Sequence, residues 1–188
     1  MTANSAFAGR GDQPLCLRFT ATATERTAST PREHLRRPSD LADWLDAVEL
    51  GVPTPEVSEE LLLNARELRE SIYRAARAVA NGERISEEDR DHVNEWAASN
   101  AAVRVLDDTG AGWRFPAESA ARSALAVVAV DAVDTLGGAK VGTIKVCSGT
   151  GCVAVFLDAS RAGARRWCSM GTCGNRAKKD AMRIRRQA

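Results

Sequence analysis

The sequence predicts a mainly α protein, a helical N-terminal body with minor β elements followed by a small α+β module organised by four cysteines. Three observations point there. Apolar residues recur at helical spacing in four stretches between residues 38 and 136. Four of the five cysteines lie in the last 42 residues as two pairs, Cys147 with Cys152 and Cys168 with Cys173; each pair encloses four residues, and 15 residues separate the pairs. Charge is segregated as well: residues 1–139 hold 15 Lys+Arg against 23 Asp+Glu, a net of −8, while residues 140–188 hold 11 against 2, a net of +9, although the whole chain sums to only +1.

The first dozen residues read as a frayed lead-in. Leu15–Thr20 is short, apolar-leaning and threonine-ended, which suggests a strand, and Thr22–Thr30 shows no clear period. Pro38-Ser39-Asp40 opens a helix with Leu41, Trp44, Leu45 and Val48 at i, i+3, i+4 and i+7, and Gly51 and Pro53 stop it. A longer helix is predicted over about Ser58 to Ala80. Its inner face is drawn by Leu61, Ala65, Leu68, Ile72, Ala75 or Ala76, and Val79, with Asn81-Gly82 as the stop. Ser86 with Asp89 forms a variant capping box ahead of a helix that turns Val93, Trp96 and Ala97 inward. Val103–Leu106 and Trp113–Phe115 flank Asp107–Gly112 as a hairpin. A helix rich in alanine, leucine and valine, from about Ala117 to Leu136, closes the body at Gly137-Gly138. Residues 1–139 are therefore expected as one domain and residues 140–188 as a second.

Composition removes several classes of function. Hydrophobic residues at 44% and charged residues at 27% suit a globular chain rather than a disordered one. The longest apolar run, Leu125–Val130, is too short to span a bilayer, so no membrane partner is expected. The N-terminus lacks the basic, apolar, small-residue order of a secretion leader, and a cytoplasmic location with reduced thiols follows as the expectation. His34 and His92 lie 58 residues apart with no third partner in view, and the glycines punctuate loops rather than form a phosphate-binding fingerprint. No catalytic residue is assigned and no enzyme is expected. Cys16 reads as a buried free thiol, and Trp44, Trp96 and Trp113 read as core.

The paired cysteines supply four thiolates, the number that a tetrahedral structural Zn²⁺ site takes. Each loop between paired cysteines contains glycine, Ser148-Gly149-Thr150-Gly151 and Ser169-Met170-Gly171-Thr172, so that backbone amides can turn toward the sulfurs. A module of some 40 residues buries too little surface to fold unaided, and a metal substitutes for core. Four thiolates leave no open position for water, which makes one structural ion the expectation, in a ribbon- or knuckle-like module with an all-cysteine ligand set. Iron stays open on spacing alone. Between the pairs, Val153–Leu157 is short and apolar, a predicted strand that alternates poorly. Downstream, a helix beginning near Gly174 or Asn175 puts Arg176, Lys179 and Arg183 along one face, continued by Arg186. Lys178 and Arg185, with Arg161, Arg165 and Arg166 before them, broaden this into a basic field suited to phosphate; Arg161 and Arg166 could equally brace the zinc loops.

These residues together resemble a known family. Cys147-x4-Cys152, Phe156-Leu157-Asp158-x-Ser160-Arg161, Arg165-Arg166-Trp167-Cys168-Ser169-Met170 and Cys173-Gly174-Asn175-Arg176-x-Lys178 are closely similar to the bacterial CGNR zinc finger, over about residues 144–186. The body resembles the α-rich ABATE domain that accompanies that finger and is described as a stress-induced transcription regulator; Leu35 through Gly51 carries the likeness. Relatives commonly read Leu-Asp-Phe-x-Asn-Thr where this chain reads Leu17-Arg18-Phe19-Thr20-Ala21-Thr22, so any role of that Asp and Asn does not carry over. The resemblance implies zinc on Cys147, Cys152, Cys168 and Cys173 and a DNA-binding transcriptional regulator with double-stranded DNA as partner. Two readings compete with it: a zinc-stabilised protein-interaction module without DNA binding, and an RNA-binding protein. A homodimer is left open, and no residue of the body declares a small-molecule effector.

Overall fold

The computed structural model describes residues 12–53, 56–108 and 110–185. The frayed lead-in expected for residues 1–11, and Arg186 of the basic field, lie outside the described residues. The mainly α reading holds, with small antiparallel sheets beside the helices.

Helices α1 (Leu15–Thr20), α2 (Pro38–Ala47), α3 (Glu59–Asn81), α4 (Glu87–Ala98) and α5 (Ala120–Leu136) build the body. A helix that is apolar all round must be buried, and α5 is: Leu125, Ala124, Ala126, Val128, Ala129 and Ala132 are all fully enclosed. The other four helices pack around it. Helix α2 brings in Leu41, Trp44 and Leu45, each 0% exposed, and the Trp44 ring lies 4.9 Å from that of Phe19 of α1. Helix α3 starts on its cap Ser58, whose hydroxyl accepts the Leu61 N–H at 3.1 Å, and stops at Gly82, which holds a left-handed φ of 71°. Its inner face is Leu62, Ala65, Leu68, Ile72 and Ala76; Leu62 takes the place expected for Leu61, which is only half-buried. Ser86 caps α4, its Oγ accepting the Asp89 N–H at 3.2 Å and donating to Asp89 Oδ2 at 2.8 Å.

The opening segment differs from its expectation. Leu15–Thr20 is a helical turn and a half, not a strand. Such a short run carries too little pattern to choose, and tertiary contacts decide. Asp131 of α5 accepts the Cys16 N–H at 2.8 Å, putting a carboxylate on the free amides of the helix start, while Cys16, Leu17 and Phe19 sink into the core. Cys16 is fully buried, as read, and burial pushes its thiol well above the ordinary value. Thr22–Thr30, which showed no period, contains strand β1 (Ala23–Thr24), bridged to β2 (Arg32–Glu33). Strands β3 (Val103–Asp107) and β4 (Gly110–Arg114) form the expected hairpin, with a tighter turn because Asp107 already pairs with Gly110. A 3₁₀ turn over Ala117–Ser119 precedes α5.

Strands β5 (Thr143–Val146) and β6 (Val155–Asp158) form an antiparallel pair that belongs to two cores at once. Successive side chains of a strand face opposite ways. Val155 and Leu157 join the helical core together with Ile144, while Phe156, 0% exposed, packs on Cys147, Cys168 and Cys173. The poor alternation of Val153–Leu157 thus has a physical reason: both faces of β6 are buried. Three further ties hold this sheet to the body. Gln13 pairs with the backbone of Leu157 in both directions, at 2.7 and 3.2 Å; the Tyr73 hydroxyl donates to Val153 O at 3.0 Å; and Thr27 Oγ1 donates to Gly151 O at 3.4 Å.

Candidate metal centre and basic helix

Cys147 directly follows β5, Cys152 closes the first loop, Cys168 precedes a π-helical turn over Met170–Gly174, and Cys173 lies within that turn, which runs into α6 (Asn175–Arg185). The four Sγ atoms all lie within 4.8 Å of one another, and Cys152–Cys168 and Cys168–Cys173 are each 3.7 Å apart. Four sulfurs at about 2.3 Å from a tetrahedral Zn²⁺ stand about 3.8 Å apart, so the spacing suits zinc. The donor set agrees. Without a cation, two of the crowded thiols resist ionising: burial, then the charge of Cys168, pushes Cys173 up to about 11, and contact with Cys168 followed by burial drives Cys152 higher still. A divalent cation removes that conflict and holds all four as thiolates. The amides of Gly149 and Cys168 both approach Cys147 Sγ, at 3.4 and 3.3 Å, the first as its glycine-bearing loop anticipated and the second from a ligand cysteine itself. The four cysteines are a site for one zinc ion, and with four thiolates the role is structural.

Gly149 is the tightest point of this cage. A Cβ added there would stand 3.0 Å from Cys173 Cβ, 3.1 Å from Cys173 Sγ and 3.4 Å from Cys147 Sγ. At Gly171 the nearest neighbour, Ser169 Oγ, is 3.8 Å away. Gly149→Ala is therefore expected to weaken zinc binding at least about tenfold, roughly 1.4 kcal/mol, while Gly171→Ala leaves it unchanged. Competition against a chromophoric chelator measures both.

The residue that braces the zinc loops is Arg165. Its Nε and Nη2 donate to the carbonyls of Trp167 and Cys168 at 3.0 and 2.8 Å, Nη1 meets Asp12 at 3.2 Å, and the guanidinium lies 5.3 Å from the Phe156 ring centre. The sequence placed Arg165 in the basic field and gave bracing to Arg161 and Arg166; no spacing rule marks which of three nearby arginines turns inward. Arg166 lies over the Trp167 ring, and its carbonyl accepts the Ser148 N–H at 2.9 Å. Arg161 is exposed. Asp158, which the sequence did not single out as a site residue, orders the segment between the pairs: its buried carboxylate accepts from Lys145 Nζ at 2.7 Å, Ser160 Oγ at 2.6 Å and the Arg165 N–H at 2.9 Å. The Lys145 ammonium, then Ser160, hold it far below the usual carboxylate range.

Helix α6 packs on the π turn before it. Arg176, Lys178, Lys179, Arg183 and Arg185 are all exposed, and among the described residues their cations make one ion pair, Arg183 with Asp180 at 3.9 Å. Of the two histidines, His34 bonds Thr24, and His92 bonds Ser71 and Trp96. Among the described residues, no helix is long and apolar enough to cross a membrane.

A four-thiolate zinc finger that carries a basic helix and shares a strand with a helical body defines the class of protein. Residues 143–186 match the family model of the CGNR zinc finger. Residues 13–139 match the ABATE model, described as "Putative stress-induced transcription regulator", and the chain belongs to this family. No curated protein matches the chain.

Proposed function

We propose that this protein is a transcriptional regulator that binds double-stranded DNA through α6 and the basic surface around the zinc loops. One observation carries the reading: α6 holds five exposed cations and packs chiefly on the zinc-side turn, so its charge is not consumed by the acidic body. An arginine-rich helix projecting from a rigid metal cage matches phosphate by bidentate hydrogen bonds and has the dimensions to enter a major groove. The family description adds support for regulation at the level of transcription.

Each phosphate contact releases counterions, so the logarithm of affinity falls with the logarithm of salt with a slope of about −0.9 per contact. The zinc-loaded protein titrated with random duplex DNA is expected to bind with a steep salt slope. Arg183→Ala is expected to reduce that slope by about one contact while zinc stays at one per chain. Absence of duplex binding at low salt, with zinc retained, would move the basic helix to an acidic protein partner; preference for single strands would move it to RNA.

A further inference from the structure

Hairpin β3–β4 stands apart from the rest of the body. Ala102 before it and Phe115 after it sink into the helical core, and Trp113 leans on that core, but among the described elements the two strands pack closely only on each other. Toward the tip, Leu106 is 86% exposed and Ala111, its partner across the ladder, is exposed as well. A two-stranded hairpin with no further strand or helix against it is marginally stable in water. This one calls for a cover.

Its two outer edges differ. In an antiparallel pair, residues that bond across alternate with residues whose N–H and C=O face away. Asp107 and Gly110 close the ladder with two residues between them, which makes them a bonded pair. Ala111 and Trp113 therefore turn their backbone groups away from β3, and Arg104 and Leu106 turn theirs away from β4. None of these four has a further backbone partner among the described residues. Edge strands are commonly blunted by charge, proline or a bulge. The β3 edge carries Arg104, whereas the β4 edge reads Gly110-Ala111-Gly112-Trp113 and has none of the three.

The β4 edge is also complementary to itself. Two copies laid antiparallel, with Gly112 on the twofold axis, set Ala111 against Trp113 of the other copy, so the outward backbone groups meet and bond. Gly112 meets its own counterpart at a non-bonded position, where strand backbones come closest, about 4.5 Å between Cα atoms. Leu106 then falls in one row with Ala111 and with Trp113 and Arg104 of the second copy, which cover it. At each end, Arg114 stands opposite Gly110 of the other copy and diagonal to its Asp108, within reach of a long side chain. Within one chain these two charges lie at opposite ends of the hairpin, both exposed and neither ion-paired among the described residues. The antiparallel pairing brings each to its opposite, once at either end.

We infer that the β4 edge is an interface with a second copy of this chain, joining two hairpins into one antiparallel sheet with Gly112 on the axis and Arg114 of each copy paired with Asp108 of the other. The interface stands whether or not α6 binds DNA. Where the DNA reading also holds, the dimer carries two basic helices related by a twofold, an arrangement suited to paired half-sites.

The test is sedimentation equilibrium of the zinc-loaded full chain at low salt, in the absence of DNA. A reversible monomer–dimer equilibrium is expected below about 100 µM. Ala111→Pro removes an outward donor while leaving the bonds to β3 in place, and is expected to weaken the dimer at least about tenfold. Arg114→Asp is expected to do the same by setting like charges together at both ends. Asp108→Arg combined with Arg114→Asp exchanges the charges and is expected to restore the affinity to within about threefold of the original. Far-UV circular dichroism and one zinc per chain check that each variant is folded; the charge exchange carries the test if the proline variant is not. Monomer alone up to about 100 µM, a dimer indifferent to a folded Ala111→Pro, or an exchanged pair no tighter than Arg114→Asp alone would each overturn the inference. None of these outcomes alters the salt titration that tests DNA binding, so the two readings fail separately.

Discussion

Cys168→Ser is expected to release the zinc ion and to lower the thermal stability of the whole chain, not of the C-terminal module alone. Cys168 Sγ is one corner of the cage, 3.7 Å from two other sulfurs. Structural zinc in small finger peptides contributes about 10–16 kcal/mol of apparent binding energy, and even half of that is comparable with the whole stability of an ordinary domain, about 5–15 kcal/mol. The sequence alone, with its boundary at Gly137-Gly138, leads one to expect that the body survives such a loss. The structure leads elsewhere, because Ile144, Val155 and Leu157 are members of the helical core. A circular-dichroism melt is expected to show one transition at reduced temperature, with metal analysis giving far less than one zinc per chain. An unshifted transition in the zinc-free variant would show that the β5–β6 pair keeps its place without the metal.

Arg69→Ala should destabilise the body by about 3 kcal/mol, the cost typical of breaking a buried pair from one side. Arg69 lies in the middle of α3 with its side chain 4% exposed, and it donates to Glu33 through Nη1 and Nη2 at 2.7 and 2.6 Å and to Glu70 through Nε at 2.8 Å. Glu70 in turn pairs with Arg26, so the arginine joins β2 and the segment after β1 to helix α3. The urea midpoint at neutral pH reads the loss. The same network sets a direction for pH. Burial alone would raise the Glu33 carboxyl, but the Arg69 hydrogen bonds and charge outweigh it; for Glu70 the hydrogen bond and charge of Arg26 do the same. Both carboxyls are held below their ordinary value of 4.5. The unfolded chain then binds protons at a higher pH than the folded one, so the stabilisation is complete above about pH 4.5 and drains as the pH falls through the lowered folded values. Arg69→Ala is therefore expected to flatten the loss of stability below pH 4.5 as well as to lower stability at pH 7.

What the sequence disclosed and what it withheld divide along a physical line. The four cysteines were legible because a metal site made of two short loops is local: the spacing Cys147–Cys152 and Cys168–Cys173 already limits how the sulfurs can meet. The α2 stripe of Leu41, Trp44 and Leu45, and the stop and start at Gly82 and Ser86, were legible for the same reason, each being decided within a turn or two of helix. Helix α1 was not, since Leu15–Thr20 is helical because Asp131, 115 residues on, accepts the Cys16 amide. The bridge between Ala23–Thr24 and Arg32–Glu33 is two residues wide and leaves no period to read. Arg165 was assigned to the outer surface because composition counts charges without saying which way they point; its carbonyl and carboxylate partners exist only once Trp167, Cys168 and Asp12 have converged.

The side-chain amide of Gln13 lies along the backbone of β6 and exchanges both hydrogen bonds with Leu157, 144 residues later. A ribosome delivers residue 13 long before residue 157, and helices α1 and α3 must wait for the strands that complete their packing. Until the final quarter of the chain has emerged, the hollow that Val155 and Leu157 will fill stays open to water and to other proteins. Contacts of such long range are slow to form. The nascent protein therefore spends most of its synthesis with an unfinished interior, and the arrival of the metal-binding segment is also the event that closes it.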